Sequence, residues 1–317
     1  MHDILIAEDI RGTAVDELSA RFDVVSLPDL WKNPAELLEC IGKFRGLIVR
    51  NQTQVSREVL LVAKKLVVIG RAGVGLDNID VQGATEAGIL ITSTPDQNAI
   101  SVAELAIGLM LSLARMIPSA SADTKNGNWN RQKFLGTELY GKAFGIVGAG
   151  KIGYLTARRA QAFGMKVLAY DPFISPDNIL LSELNAELVS LDDLLSRADV
   201  ISCHLPATPQ TAGLLNAAAF AKMKPTSTFI NTSRGEVVTE DDLRHALKSG
   251  VIAGAALDVR ATEPPKSGEL ELIPNLILTP HVAAFTHEAQ SRVTRAICED
   301  VGRVLDGQAA QNAVNRV

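Results

Sequence analysis

The stretch Phe144-Gly145-Ile146-Val147-Gly148-Ala149-Gly150-Lys151-Ile152-Gly153 decides how this chain is read. Its first four residues form an apolar run of strand length. Three glycines follow at the spacing Gly-x-Gly-x-x-Gly, and a helical pattern runs on from Lys151 to Phe163. A second short apolar run, Val167-Leu168-Ala169-Tyr170, ends on Asp171, eighteen residues after Gly153. At the end of a buried strand, Gly148 permits a tight turn, Gly150 lets the backbone approach a phosphate, and Gly153 lets the helix pack on the strand. The helix N-terminus, beginning at Lys151 and Ile152, offers N–H groups and a positive dipole end to a pyrophosphate. A carboxylate at Asp171 can accept hydrogen bonds from ribose hydroxyls. The glycines alone would be a weak signal; strand, helix and terminal acid in register make the segment a dinucleotide site. A plain strand-turn-helix would leave Asp171 unexplained.

Length and composition bound the rest. A chain of 317 residues suggests about two domains on the usual length prior. At 47% hydrophobic and 21% charged it has an ordinary globular composition. A net charge of -5 gives no electrostatic reason to expect nucleic acid or an anionic membrane as partner, although local basic pockets for a small anion are compatible with it. Cys40, Cys203 and Cys298 are scattered without metal-type spacing, so no metal site and reduced, structural thiols are expected. Met1-His2-Asp3-Ile4 places no basic region before its apolar run, which argues against a signal peptide. The longest apolar stretch, Val102 to Ala114, falls short of the ~20 residues of a membrane span. A cytoplasmic protein is the expectation.

The chain ahead of the glycine turn has its own strand–helix alternation. Ile4–Ala7, Leu47–Arg50, Leu66–Ile69 and Ile89–Thr92 read as short buried strands, separated by helical patterns at Thr13–Arg21, Pro34–Gly42 and Ser56–Ala63. Past the turn, Val200–Cys203, Thr228–Asn231, Gly254–Leu257 and Leu276–Thr279 read as strands, and Asp192–Arg197, Ala217–Met223 and Glu240–Ser249 as helices. Alternation of this kind specifies parallel α/β sheets. A doubly wound domain has its six strands by Thr279, which frees the helical segment Thr286–Leu305 to return to the first domain. We therefore expect one domain from residues 1–98 and 287–317, and a dinucleotide domain, 99–286, inserted into it. The crossings would be the long helix Asn98–Met116 and the segment near Ala284–His287, with ligands in a cleft at the carboxyl ends of the strands. Ser119–Glu138 is polar, carries Trp129 and Phe134, and is too long for a simple connector. Exposed aromatics on such an arm point to a second copy of the chain, hence a homodimer; the alternative is that the rings pack on their own domain.

Three chemically capable residues sit just beyond strand ends. Arg234 follows Phe229-Ile230-Asn231-Thr232-Ser233, Glu263 follows Leu257-Asp258-Val259, and His281 follows Ile277-Leu278-Thr279-Pro280. Each residue type has a purely structural use: a histidine that packs, an arginine that satisfies loop carbonyls, a glutamate in a surface turn. Their placement after successive strands points instead to a common site.

These segments, Asn231-Thr232-Ser233-Arg234-Gly235, Asp258 to Glu263-Pro264-Pro265, and Pro280-His281-Val282-Ala283-Ala284, resemble the signatures of the D-isomer-specific 2-hydroxyacid dehydrogenases. Arg71-Ala72-Gly73-Val74-Gly75-Leu76-Asp77-Asn78, Ser101-Val102-Ala103-Glu104 and Asn128-Trp129 with Phe134-Leu135-Gly136 resemble the D-3-phosphoglycerate dehydrogenases within that family. The resemblance spans nearly the whole chain. It implies a doubly wound parallel Rossmann domain inserted into a smaller flavodoxin-like α/β substrate domain, with NAD as cofactor and a small 2-hydroxy or 2-keto acid as substrate. It implies that His281 is the general acid/base at the C2 oxygen, close to the cofactor. Glu263 would hold its other ring nitrogen. Arg234 would bind the substrate carboxylate with a planar fork of donors, and the backbone at Val74 and Gly75 would hold the carboxylate's other side. Lys151 and Ile152 become pyrophosphate contacts, Leu205 and Thr232 line the cofactor, Asp258 meets the nicotinamide carboxamide, and Asp171 favours NAD over NADP. A chain ending near Val317 further implies a short form without a C-terminal regulatory domain.

Departures from the family pattern bear on the substrate. Arg260 replaces the aromatic residue usual after Asp-Val, Ala284 stands where glycine is usual, and Phe285 adds bulk beside His281. Arg50-Asn51-Gln52-Thr53 would face the far end of the substrate, where a cation suits a second anion; the alternative is an arginine paired with a neighbouring carboxylate. On the first reading 3-phosphoglycerate is the expected substrate, with 3-sulfolactate carrying the same charge and glyoxylate or hydroxypyruvate as the uncharged-tail alternative. A NAD-sensing binding protein without turnover is the competing class. A formate-type enzyme would need glutamine in place of Glu263.

Overall fold

The computed structural model describes residues 2–175 and 178–317. Met1, where the reading of the N-terminus began, lies outside the described residues. Two compact units are present, Met1–Asn98 with Thr286–Val317, and Ala99–Phe285.

The first unit runs β1 (Ile4–Ile6), α1 (Thr13–Ser19), β2 (Val24–Ser26), α2 (Pro34–Cys40), β3 (Gly46–Val49), α3 (Arg57–Val62), β4 (Val68–Arg71), α4 (Val81–Glu86) and β5 (Leu90–Thr92). Its sheet has the order β2-β1-β3-β4-β5, with all pairs parallel. The strands β1 and β3 are buried throughout, which is why they read as unbroken apolar runs rather than alternating ones. Leu66 is buried but belongs to the turn after α3, where its N–H bonds the Ala63 carbonyl, so β4 starts two residues later than its apolar residues suggest. The edge strand β2 is only half-buried, and without an apolar run it gave no sequence signal. Helix α4, also unforeseen, is started by Asp80, whose Oδ1 accepts the Gly83 N–H at 2.8 Å.

The second unit runs α5 (Ala99–Arg115), α6 (Ile117–Lys125), β6 (Ala143–Val147), α7 (Lys151–Ala162), β7 (Lys166–Tyr170), α8 (Ile179–Glu183), β8 (Glu187–Leu188), α9 (Leu191–Arg197), β9 (Val200–Cys203), α10 (Ala217–Phe220), β10 (Thr228–Asn231), α11 (Glu240–Lys248), β11 (Gly254–Leu257) and β12 (Leu276–Leu278). Its parallel sheet has seven strands in the order β12-β11-β10-β9-β6-β7-β8. The seventh strand beyond the six expected is the two-residue β8, too short to register as a pattern. The order reverses at β6 and β9, so the β6–α7 turn opens at the switch point where open α/β sheets bind ligands.

Chain direction breaks after α5 at Met116, which adopts a left-handed φ of 49°. The polar arm then begins as α6 rather than as loop, with Pro118 in its first turn. Asp123 gathers Asn128, Asn130 and Lys133 and folds the arm's tip. Trp129 and Leu135 are 80% and 87% exposed. Phe134 is half-buried, contrary to the reading of both rings as exposed, and lies under the Lys133 ammonium. Among the described residues no single helix is long and apolar enough to cross a membrane.

The chain returns to the first unit as α12 (His287–Leu305), capped by the Thr286 hydroxyl, which accepts the Ala289 N–H at 3.1 Å. Val293, Ile297, Val301 and Leu305 form its buried stripe at four-residue spacing. A side chain at Gly70 in β4 would meet Val301 at 2.6 Å, so a strand glycine lets this helix approach the sheet.

Candidate active site

The glycine turn of the second unit has the geometry of a phosphate cradle. Gly148 has φ of 98°, and a Cβ there would strike the His204 backbone at 2.9 Å. A Cβ on Gly153 would lie 2.1 Å from the Gly148 carbonyl, so α7 can sit this close to the turn only with glycine. Gly150 differs: its φ is an ordinary -68°, and a Cβ would meet nothing within 4 Å. The space beside it is open, and no side chain caps α7, so the first helical N–H groups, from Lys151 and Ile152 on, are left for an anion. Asp171 takes the Ala149 and Phe173 N–H groups, both at 2.9 Å, and so ties the end of β7 to the turn.

Two buried polar atoms nearby, Thr232 Oγ1 and His204 Nδ1, have no hydrogen-bond partner among the described residues. Unpaired buried groups are costly unless a ligand meets them. His204 shares a 2.9 Å hydrogen bond between Nε2 and Ser202 Oγ, and burial pushes its pKa down to about 4, so its ring is neutral. Leu205 is buried against the turn. Open cradle, uncapped helix and orphaned hydroxyl together fit a dinucleotide.

The residues expected to form an acid–base centre lie beyond the ends of β10, β11 and β12. Asn231, fully buried, templates the first turn: its Oδ1 accepts the Ser233 N–H and hydroxyl, and its Nδ2 donates to the Arg234 carbonyl. This sets the backbone from which Arg234 projects. Asp258, at the end of β11, templates the second. Its carboxylate accepts the Thr279 hydroxyl at 2.6 Å and the Val282 and Ala283 N–H groups at 2.9 and 2.8 Å. The Asp258 carbonyl accepts the His281 N–H at 2.8 Å. Held on both sides, His281 takes a left-handed φ of 54°.

His281 Nδ1 donates to Glu263 Oε2 at 2.6 Å, and the Arg260 N–H donates to Glu263 Oε1 at 3.0 Å. The hydrogen bond to Glu263 holds the imidazole pKa above its ordinary value, outweighing burial and the charge of Arg234. Burial alone would raise the Glu263 carboxyl, but the bonds from His281 and the Arg260 N–H, with the Arg234 charge, hold it below the usual range. The pair is therefore an ionised acid oriented on a titrating base, with Nε2 left for chemistry. Among the described residues no group of three or more acidic, cysteine or histidine residues could hold a metal ion.

The first-unit segments expected to meet a substrate lie at the ends of β3 and β4. Register pairs Val49 with Arg71, so Arg50 and Arg71 end neighbouring strands. Asn51 is exposed, as is Val74, with Gly75 half-buried beside it. The loop is clamped from behind by Glu8, 2% exposed, whose carboxylate accepts the N–H groups of Arg50, Gln52 and Thr53. Asn78 Nδ2 donates to the carbonyls of Arg50 and Thr53 at 3.0 and 2.6 Å. Burial pulls the Arg50 guanidinium below its ordinary pKa, opposed by the charges of Glu8 and Asp9. Sequence reasoning missed Glu8, Asn78 and His204. For Glu8 a signal existed: an acid placed directly after the buried run Ile4–Ala7 must have donors waiting for it.

Fold and site together define a dinucleotide-binding α/β protein with an Arg–Glu–His centre at one sheet edge. Residues 107–283 match the family described as D-isomer specific 2-hydroxyacid dehydrogenase, NAD binding domain, and the chain belongs to that family. NAD is accordingly the cofactor of this chain. The chain is 44% identical over 313 residues to a D-3-phosphoglycerate dehydrogenase of Methanocaldococcus jannaschii, covering 98% of this chain and 59% of that one. It is 43% identical over 317 residues to the Synechocystis enzyme of that name, covering 99% and 56%. It thus spans little more than half the length of these relatives. Among solved structures, the TT0316 protein of Thermus thermophilus superposes with a TM-score of 0.92 at 34% identity, covering 99% of this chain and 100% of that one. A glyoxylate reductase from Paecilomyes thermophila gives 0.89 at 30%, covering 99% and 98%.

Proposed function

We propose that the protein is an NAD-dependent oxidoreductase that interconverts a D-2-hydroxy acid and its 2-keto acid, with 3-phosphoglycerate as the preferred substrate. The observation that carries the reading is the 2.6 Å contact of His281 Nδ1 with Glu263 Oε2 beside Arg234. NAD, when bound, supplies the hydride acceptor or donor. Lys151, Ile152, Thr232 and Leu205 would hold it, and the charge of Asp171 disfavours a 2′-phosphate. In oxidation His281 Nε2 takes the C2 hydroxyl proton as the C2–H bond gives up its hydride; in reduction it returns that proton to the oxygen. Glu263 stabilises the imidazolium in between. Arg234 offers a planar fork to the substrate carboxylate. Val74 and Gly75 would add backbone donors to it.

Arg50 and Arg71 at adjacent strand ends support a second anion on the substrate, as do relatives named for 3-phosphoglycerate. A sulfonate such as 3-sulfolactate carries the same charge. The similarity to a glyoxylate reductase supports a second reading in which the tail is uncharged. Turnover with a panel of 2-hydroxy and 2-keto acids, with and without a terminal phosphate, decides between them. NAD binding without turnover of any acid would leave only a NAD-sensing role. Arg50→Ala should weaken a phosphorylated acid about tenfold or more and leave glyoxylate nearly untouched; equal effects on both would remove Arg50 from the tail site. A homodimer goes with this reading, supported by exposed Trp129 and Leu135 on the arm, as does a cytoplasmic location, supported by the buried thiols Cys203 and Cys298.

A further inference from the structure

Glu263 must hold its carboxylate on His281 from an unpromising place. It lies in the β11–β12 connection, within a run of nine consecutive exposed residues from Ala261 to Glu269. An exposed loop of that length does not by itself fix a side chain. The structure supplies the missing restraint one step upstream. The Arg260 side chain is only 12% exposed. Its Nε and Nη2 donate to the two carboxylate oxygens of Glu240 at 3.0 and 2.9 Å, the parallel fork geometry that suits arginine. Its Nη1 donates to Glu271 Oε1 at 2.7 Å. Glu240 lies in the first turn of α11 and also accepts the Ala261 N–H at 2.8 Å. Glu271 reaches back with its other oxygen to the Gly268 N–H, also at 2.8 Å. On the opposite side Gly235, next to Arg234, lies so close that a Cβ there would be 2.0 Å from the Arg260 carbonyl carbon. Arg260 is thus held on both sides, its backbone against the Arg234 turn and its guanidinium by two carboxylates, and its N–H is the one that bonds Glu263 Oε1.

We infer that Arg260 is a positioning residue for the Glu263–His281 pair. Its guanidinium pins the start of the loop so that its own N–H aims Glu263 at the imidazole, and it does this without touching substrate or cofactor. The inference rests on the reading of His281 as the acid–base group. The charged groups facing His281 are Glu263, Asp258 and Arg234. Of these, only Glu263 rides on the loop that Arg260 pins.

The test is the titration of the His281 ring followed by NMR in the protein without substrate, its resonance assigned by loss in His281→Asn. In Arg260→Gln and, independently, Glu240→Gln, Glu263 should wander and the His281 midpoint should fall by roughly 0.5–1 pH unit. Arg260→Lys should fall between, since an ammonium cannot fork to both oxygens of Glu240 while reaching Glu271. Arg244→Gln, which breaks neighbouring surface pairs with Asp241 and Glu269, should leave the titration unmoved. With an active acid in hand, the pH profile of kcat should shift with the midpoint while NAD affinity stays constant. An unmoved midpoint in folded Arg260→Gln and Glu240→Gln would overturn the inference. The titration reads out whether or not any acid turns over, so failure of the proposed reaction and failure of this inference are separable.

Discussion

The two units solve the same topological problem in opposite ways. Each is a parallel sheet whose strand order reverses, between β1 and β3 in the first and between β6 and β9 in the second. At such a reversal, backbone N–H groups converge on a crevice that attracts an anion. The first unit fills its crevice with its own anion: Glu8, from the end of β1, takes the N–H groups of Arg50, Gln52 and Thr53 after β3. The second leaves its crevice open: α7 has no side-chain cap, and no atom of the described residues lies within 4 Å of where a Gly150 Cβ would stand. A closed reversal makes a rigid platform from which Arg50 is presented. An open one makes a receptor. The contrast is set by one acidic residue on one side and one glycine on the other.

The largest effect should come from the centre that the open reversal serves. On the proposed reading His281→Ala removes the proton carrier and should lower kcat by roughly two to four powers of ten, the span of general acid–base catalysis, with NAD affinity little changed because the glycine turn is untouched. Steady-state kinetics and a cofactor titration check both halves. A kcat near that of the unmodified protein would take the chemistry away from the strand-end cluster.

Next in size is the closed reversal. Glu8→Ala strips the acceptor from three N–H groups, and buried donors left unpaired are expensive. We expect a loss of about 2–4 kcal/mol in unfolding free energy by urea denaturation, partly restored by millimolar acetate or formate entering the vacated site. Unchanged stability would mean that the carboxylate does not close the loop, and the contrast between the units would fall.

How much of this was legible in advance divides along the same line. The open reversal could be read because its parts are contiguous: strand, Gly148, Gly150, Gly153, helix and Asp171 lie within one short segment. Arg234, Glu263 and His281 were legible as polar residues after apolar strands, though nothing local showed that Asp258 and Asn231 template their turns. The closed reversal was legible only in part: the place of Glu8 after a buried run calls for donors but does not say which. Glu8 meets its partners across 42 to 45 residues of sequence, and Asn78 reaches back 25 and 28; periodicity carries no information at that range. The missed elements have a different cause. Strands β2 and β8 are short edges that bury little, so neither has the apolar run by which a strand is recognised. Helix α6 was hidden because a single left-handed residue, Met116, separates it from α5.

The open crevice can be tested by closing it slightly. Gly150 has a φ that any residue adopts and open space at its Cβ, so Gly150→Ala should leave thermal stability the same or up to about 1 kcal/mol higher. The added methyl would occupy the phosphate cradle, and NAD affinity should fall on the order of tenfold. Gly153→Ala, by contrast, must push α7 off the turn and should cost stability and binding together. If Gly150→Ala binds NAD as well as the unmodified protein, the open space is not where the pyrophosphate sits.

The smallest effect, and the most diagnostic of charge, is the pH dependence of the Glu263–His281 pair. The folded His281 pKa lies above its ordinary value of about 6.5. Its contribution to stability is therefore fully present below about pH 6.5 and fades as pH rises through the folded value. The folded Glu263 pKa lies below the usual glutamate value, so its share is present above about pH 4.3 and is lost as pH falls through the folded value. The two conditions overlap between roughly pH 4.5 and 6.5, where both partners are charged. The side chains are 43% and 36% exposed, so water screens the pair and its stabilisation should stay within the ~1 kcal/mol of surface ion pairs. Glu263→Gln should accordingly be less stable than the unmodified protein at pH 5.5, with the gap shrinking by pH 8. A gap of equal size at both values would mean that Glu263 holds its loop in place rather than its charge on the imidazole. Its part in the open unit would then be the one Glu8 plays in the closed unit, an acceptor for backbone N–H groups.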